Sequence, residues 1–290
     1  MKKHLLIIYT LVITACSGIV GCMQKQDYKS PVGYDLTKPI KYVMPDSLHE
    51  ISGISFYQGK SDMLYAEEDE HGRVYYLHLG DKTAKYTEFK PTGDFEDMAI
   101  CGDQIVMLQS KGVLFTLPFA EVGKPQTTKA QKWDNILPEG EYEGLYADEK
   151  ANQVYVLCKH CAMDKTSKTN SGFIFDLAAD GSIKRSNDFS VNVKHIEDIA
   201  GQSVIKFHPS ALVRCPSSGE WWVLSSVNKM IVVLDDKWKV REVYKLDPEL
   251  FIQPEGITFD NQNNLYISNE GGQTRSANVL KFAYKNTSGN

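Results

Sequence analysis

Apolar residues fall along this chain in short runs broken by turn formers, and few windows repeat with a helical period. From residue 51 onward, "ISGISFY", "DMLYAEE", "GRVYYLHL" and "AKYTEFK" are four such runs, rich in β-branched and aromatic residues. "EDMAICG", "QIVMLQS", "GVLFTLPF" and "AQKWDNI" form a second set, and "SALVRCP", "EWWVLSS", "MIVVLDD" and "VREVYKL" a later one. Each set predicts a small four-stranded antiparallel sheet.

The sets share an opening. Aligning "ISGISF" (51–56), "FEDMAI" (95–100), "YEGLYA" (142–147), "PSALVR" (209–214) and "PEGITF" (254–259) gives a second column of Ser52, Glu96, Glu143, Ser210 and Glu255. The third column is Gly53, Asp97, Gly144, Ala211 and Gly256, mostly small; the fourth is always apolar. The second-column intervals are 44, 47, 67 and 45 residues. A period in the forties with several strands per unit predicts an all-β fold, a β-propeller. Five blades are expected, with six as the alternative if the long interval hides another. The last unit lacks a fourth strand, and "PIKYVMP" (39–45) is expected to supply it and close the ring. "VNVKHIEDIAGQSVIKF" (191–207) is read as an insertion, "AEEDEHG" (66–72) as a solvated hairpin approach with Glu67 or Glu68 pointing towards the mouth as the alternative, and Trp221 and Trp222 as packing between blades.

The N-terminus changes the class of protein. "MKKHLLIIYTLVITACSGIVGC" has two lysines, an apolar run and small residues before cysteine, the pattern of a lipoprotein export signal. Cys22 is the expected lipidation site, because the chain turns polar directly after it; Cys16 is the alternative. The expected organisation is a signal peptide over 1–22, a linker over 23–38 and the propeller over 39–286. The expected location is the cell envelope, anchored by lipid to a membrane, the outer one. The formal net charge is −5, and losing Lys2 and Lys3 makes it −7, so nucleic acid is not an expected partner. "CKHC" (158–161) lacks the second pair of a zinc ribbon and the following histidine of a haem attachment site; a local disulfide or two free thiols is expected.

"EISGISF", "YEGLYA", "HPSALV", "VLSS" and above all "QPEGITFDNQNNLYISNEGG" (253–272) resemble the SdiA-regulated, YjiK-type propellers of bacterial envelopes, over roughly residues 40–285. The resemblance implies a propeller with a metal ion, calcium, near its channel, and no settled catalytic activity. The chain departs from the family where a blade's second strand ends: Glu270 holds the acidic residue expected there, but the middle units read "LQSK", "LCKH" and "LSSV".

In a propeller the second column converges on one mouth of the channel. Three carboxylates there, Glu96, Glu143 and Glu255, repel by about 3 kcal/mol per pair at roughly 5 Å and an effective dielectric of about 20. Protonation, a lysine or arginine partner, or a bound cation must relieve this. Their hard oxygens suit Ca²⁺, with Ser52, Ser210, His208 and Glu270 as further channel-mouth ligand candidates. A structural role is the competing expectation: each glutamate rivets neighbouring blades by accepting backbone N–H groups. Two functions are compatible with the pattern. One is a lipid-anchored propeller that binds a divalent cation and presents a surface to a small-molecule or protein ligand. The other is a metal-dependent hydrolase of a lactone, phosphoester or glycan. The catalytic residues of such an enzyme are not readable, because no G-x-S-x-G, H-E-x-x-H or P-loop is present.

Overall fold

The computed structural model describes residues 27–90 and 92–286. The signal peptide and both candidate lipidation cysteines, Cys16 and Cys22, lie outside these residues. Among the described residues no helix is long and apolar enough to cross a membrane.

A lone strand, β1 (Ile40–Val43), precedes the first blade. Blade 1 is β2 (Ile51–Ser55), β3 (Leu64–Glu68), β4 (Gly72–Leu77) and β5 (Lys85–Lys90). Blade 2 follows with β6 (Phe95–Cys101), β7 (Gln104–Gln109), β8 (Val113–Pro118) and β9 (Gln131–Trp133). Blade 3 has long strands: β10 (Gly140–Asp148), β11 (Gln153–Cys161), β12 (Thr169–Leu177) and β13 (Ile183–Asn192). The helix α1 (Val193–Ala200) intervenes before blade 4, which is β14 (Ala211–Arg214), β15 (Trp221–Ser225), β16 (Met230–Leu234) and β17 (Val240–Lys245). Blade 5 is β18 (Pro254–Phe259), β19 (Leu265–Asn269) and β20 (Asn278–Phe282), with β1 as its outer strand. All five sheets are four-stranded, and β1 pairs antiparallel with β20, Ile40 opposite Lys281 and Val43 opposite Asn278. The ring is therefore closed by the N-terminal strand, as the pattern predicts.

The six-blade alternative fails. The extra length of the 67-residue interval goes into the long strands of blade 3, α1 and the segment leading to β14. α1 begins at Asn192, whose side chain accepts the His195 N–H at 3.1 Å, and stops at Gly201 in the left-handed conformation, φ 64°.

Five apolar cores fill the spaces between consecutive blades, one per junction. The neighbouring tryptophans split between two of them. Trp221 stacks on Trp238 and meets Tyr146 and Tyr155 of blade 3; Trp222 packs edge-on to Phe259 of blade 5 and to Tyr34. Tyr34 and Leu36, within the expected linker 23–38, are buried in the same core between blades 4 and 5.

The small third column brings the inner strands together. A Cβ on Gly53 would collide with Asp97 and the Met98 amide of the next blade, and one on Gly256 with the Ser52 carbonyl. The blades are pinned at these approaches. Asp97 accepts the N–H of Met98 and, across the junction, that of Leu145, each at 2.8 Å. Ser268 accepts the Gly256 N–H at 2.8 Å and donates to the Ser52 carbonyl at 2.6 Å. The rivet expected of the second-column glutamates is thus found on a third-column aspartate and a second-strand serine.

Candidate functional site: the acidic channel mouth

Four of the five inner strands carry a β-bulge at the same place. Pairing runs Phe95 to Gln109 and then Asp97 to Leu108, which leaves Glu96 as the extra residue. Glu143 is skipped between Tyr142 and Gly144, and Glu255 between Pro254 and Gly256. In blade 1 the register slips between Ile51 and Ile54, around Ser52 and Gly53. A bulge bends the strand and re-aims the side chain it frees. This is why a carboxylate sits between Pro254 and Gly256.

A fifth displaced residue completes the mouth. Glu141 pairs with His160 and Tyr142 with Cys158, so Lys159 bulges out of β11. Its ammonium makes an ion pair with Glu143, and Glu96 and Glu255 both act on it. Burial works to lower the Lys159 pKa, but the three glutamates outweigh it and the net shift is upward. The sequence placed this lysine inside "CKHC"; the Cys158–Cys161 disulfide now brackets it, with the half-cystines' Cα atoms 6.0 Å apart.

The carboxylates respond to the crowding. Burial, followed by the charges of Glu143 and Asp94, pushes Glu96 up to about 8, while Lys159 and the Ser110 hydroxyl pull the other way. Glu143 is pushed to about 7 by burial, with Lys159 opposing and Glu255 adding to the rise. Glu255 is raised by burial against the pull of Ser210, Ser226, Lys159 and Gln253. Ser110, Lys159, Ser226 and Glu270 occupy the ends of the second strands, where "LQSK", "LCKH", "LSSV" and "SNEGG" depart from or keep the family's acidic residue. The departures supply hydroxyls and one ammonium to face the ring.

The acidic surface continues from Glu255 toward blade 1. Glu270 is raised to about 7 by burial, then by Glu255, Asp69 and Glu50, and its carboxylate meets the Gln253 amide. Asp69 is raised to about 7 by burial and by Glu50 beside it. Glu67 and Glu68, expected in a solvated hairpin, are buried. Glu67 Oε1 accepts the Gly53 N–H at 2.6 Å, whereas its Oε2 is buried without a partner. Among the described residues, three groups have ligand atoms within 4.8 Å of one another: Glu50, Glu68 and Asp69; Glu68, Glu70 and His71; and Asp164 with the bridged Cys158 and Cys161; Glu96, Glu143 and Glu255 are not so close. The second of these is already joined, His71 Nδ1 lying 2.8 Å from Glu68.

The remaining candidates have other surroundings. Ser52 is buried, and its carbonyl is held by Ser268. Ser210 Oγ accepts the Ser226 N–H at 3.1 Å and faces Glu255. His208 packs edge-on against His160, ring centres 4.2 Å apart, and burial lowers its pKa.

Five four-stranded blades closed by an N-terminal strand, around a channel with an acidic mouth, define a five-bladed β-propeller. The SdiA-regulated family matches residues 26–272, and the chain belongs to that family. No curated protein sequence matches it. Among solved structures it is similar to the glutaminyl cyclase of Myxococcus xanthus, at 14% identity over 85% of this chain and 95% of that one, TM-score 0.54. It is also similar to regucalcin, a calcium-binding protein of Agrobacterium tumefaciens, at 12% identity over 88% and 95%, TM-score 0.49. At 14% identity the likeness to the glutaminyl cyclase is one of fold.

Proposed function

We propose that this protein is an exported, lipid-anchored propeller of the cell envelope. Its acidic mouth binds a divalent cation, Ca²⁺, and presents the surrounding surface to a ligand. One observation carries the cation: three ring glutamates around a single lysine leave a formal charge of −2 when ionised, which one divalent ion cancels. The donors are carboxylates and hydroxyls, the hard oxygen set that Ca²⁺ prefers. Without a cation, burial first and repulsion between the carboxylates second favour the protonated forms of Glu96 and Glu143. The bridged Cys158–Cys161 pair supports an oxidising location outside the cytoplasm and leaves no thiolate there for a softer metal.

Metal analysis of the purified protein, then calcium titration followed by thermal unfolding, tests the reading. Calcium is expected to raise the melting temperature, more at pH 8 than at pH 6, because the ion displaces protons. Glu96→Gln, Glu143→Gln and Glu255→Gln each weaken the response; Asp69→Asn reports whether the blade 1 side of the mouth takes part. No metal and no calcium shift at either pH overturns the cation. Lipid labelling that survives Cys22→Ala and disappears with Cys16→Ala moves the anchor; labelling absent from the wild type removes it.

A further inference from the structure

A cavity of about 670 Å³ opens beside the mouth, between the end of blade 3 and the segment from α1 to β14. Its lining is net basic, five lysines against three acids, Glu139, Glu141 and Asp164, of which Glu139 is exposed and makes no ion pair among the described residues. Lys111, Lys159, Lys165, Lys168 and Lys206 all line it. Three of them are committed: Lys111 to Glu141 at 3.4 Å, Lys168 to Glu197 at 3.1 Å, and Lys159 to Glu143. Lys165 and Lys206 have no acidic partner among the described residues and are exposed. Asp164, the lining acid nearest in chain to Lys165, is taken up by the Ser171 N–H at 2.8 Å and the Ser171 hydroxyl at 2.6 Å.

The wall beneath these ammoniums is apolar. Val193, Ile205 and Phe207 are buried and line the cavity, together with half-cystine Cys161. One polar atom there lacks a partner: His208 Nδ1 is buried and makes no hydrogen bond. Two uncommitted cations at the rim, an unpaired imidazole nitrogen and an apolar wall match one kind of molecule. We propose that this cavity binds a small amphiphilic anion, a carboxylate or phosphate on a short apolar chain. The head is held by Lys165 and Lys206 at the rim, and the chain lies on Val193, Ile205 and Phe207. The site is separate from the three ring glutamates and shares Lys159 and the channel-mouth candidate His208 with the mouth.

Saturation-transfer NMR on the full chain in calcium-free buffer tests this with butanoate, butyl phosphate, butylamine and butanol as probes. Calcium is left out so that the result does not depend on the ring. Saturable binding of butanoate, butyl phosphate or both, and none of butylamine, is expected at up to about 10 mM, the range open to ligands this small. A response to only one acid names the head group. The Lys165→Ala/Lys206→Ala variant, altered only on exposed side chains, is expected to weaken binding by about tenfold or more. The proposal is overturned if neither acid saturates, if butylamine or butanol binds as well as the acids, or if the double variant binds unchanged.

Discussion

At the ends where the inner strands begin, the channel holds Glu96, Glu143 and Glu255 around Lys159. Where the same strands finish, Ile54, Met98, Leu145, Leu212 and Ile257 line a cavity of about 560 Å³ whose ion pair is Arg214 with Asp148 at 3.3 Å. Both sets come from the recurrent columns, two positions apart. What separates them is one extra residue in each of four strands, β14 having none. At the mouth the bulge frees a glutamate from the ladder; beyond it the pleat resumes and apolar side chains return to the axis. A propeller can thus concentrate charge at one end without disturbing the packing that holds its blades.

The largest test of this contrast is to remove the cation from the mouth. Lys159→Met leaves Glu143 buried and unpaired, and breaking such a pair costs about 3–5 kcal/mol. Thermal unfolding should show the loss, and added calcium should recover part of it. Asp97→Ala attacks the boundary between the two ends. It strands the buried N–H groups of Met98 and Leu145, at about 1–3 kcal/mol each, and denaturant unfolding measures it. Calcium should not restore this variant.

The pH dependence follows from the direction of the shifts. Carboxyls with folded values of about 8 for Glu96 and about 7 for Glu143 and Glu270 bind more protons folded than unfolded. Their contribution is full below the ordinary carboxylate range and is lost as pH rises from about 4.5 through 8. Urea unfolding across that window should show falling stability, with a shallower slope in Glu96→Gln or in calcium. At the other end of the channel, Arg214→Gln removes a half-exposed ion pair. It should cost no more than about 1 kcal/mol and leave the pH slope and calcium response unchanged.

The blades, the ring closure and the glutamate column were legible because each rests on a repeated pattern of side-chain type. Lys159 was not, because it occurs once and its motif pointed to sulfur chemistry. A signal existed: it stands where the second strand of a blade ends, in register with Glu270. The bulges were hidden because an extra residue shows only against its partner strand, and a one-strand pattern has no partner. For the same reason Glu67 and Glu68 read as solvated: "AEEDEHG" is polar, and only the closed ring buries its first half. The rivets were assigned one column early, since Asp97 looked like a lapse from a small-residue column when it is the residue that spans the junction.

The closing strand also sets an order of events. β20 lies between β19 and β1, so the earliest strand stays without its neighbour until residues 278–282 have been synthesised. Until then β1 has no place to dock, and the nascent protein is a chain of blades with both flanks unsealed. Sealing the ring is therefore a late step, and a chain cut before Asn278 would lose β20 and leave β1 with no strand to pair with.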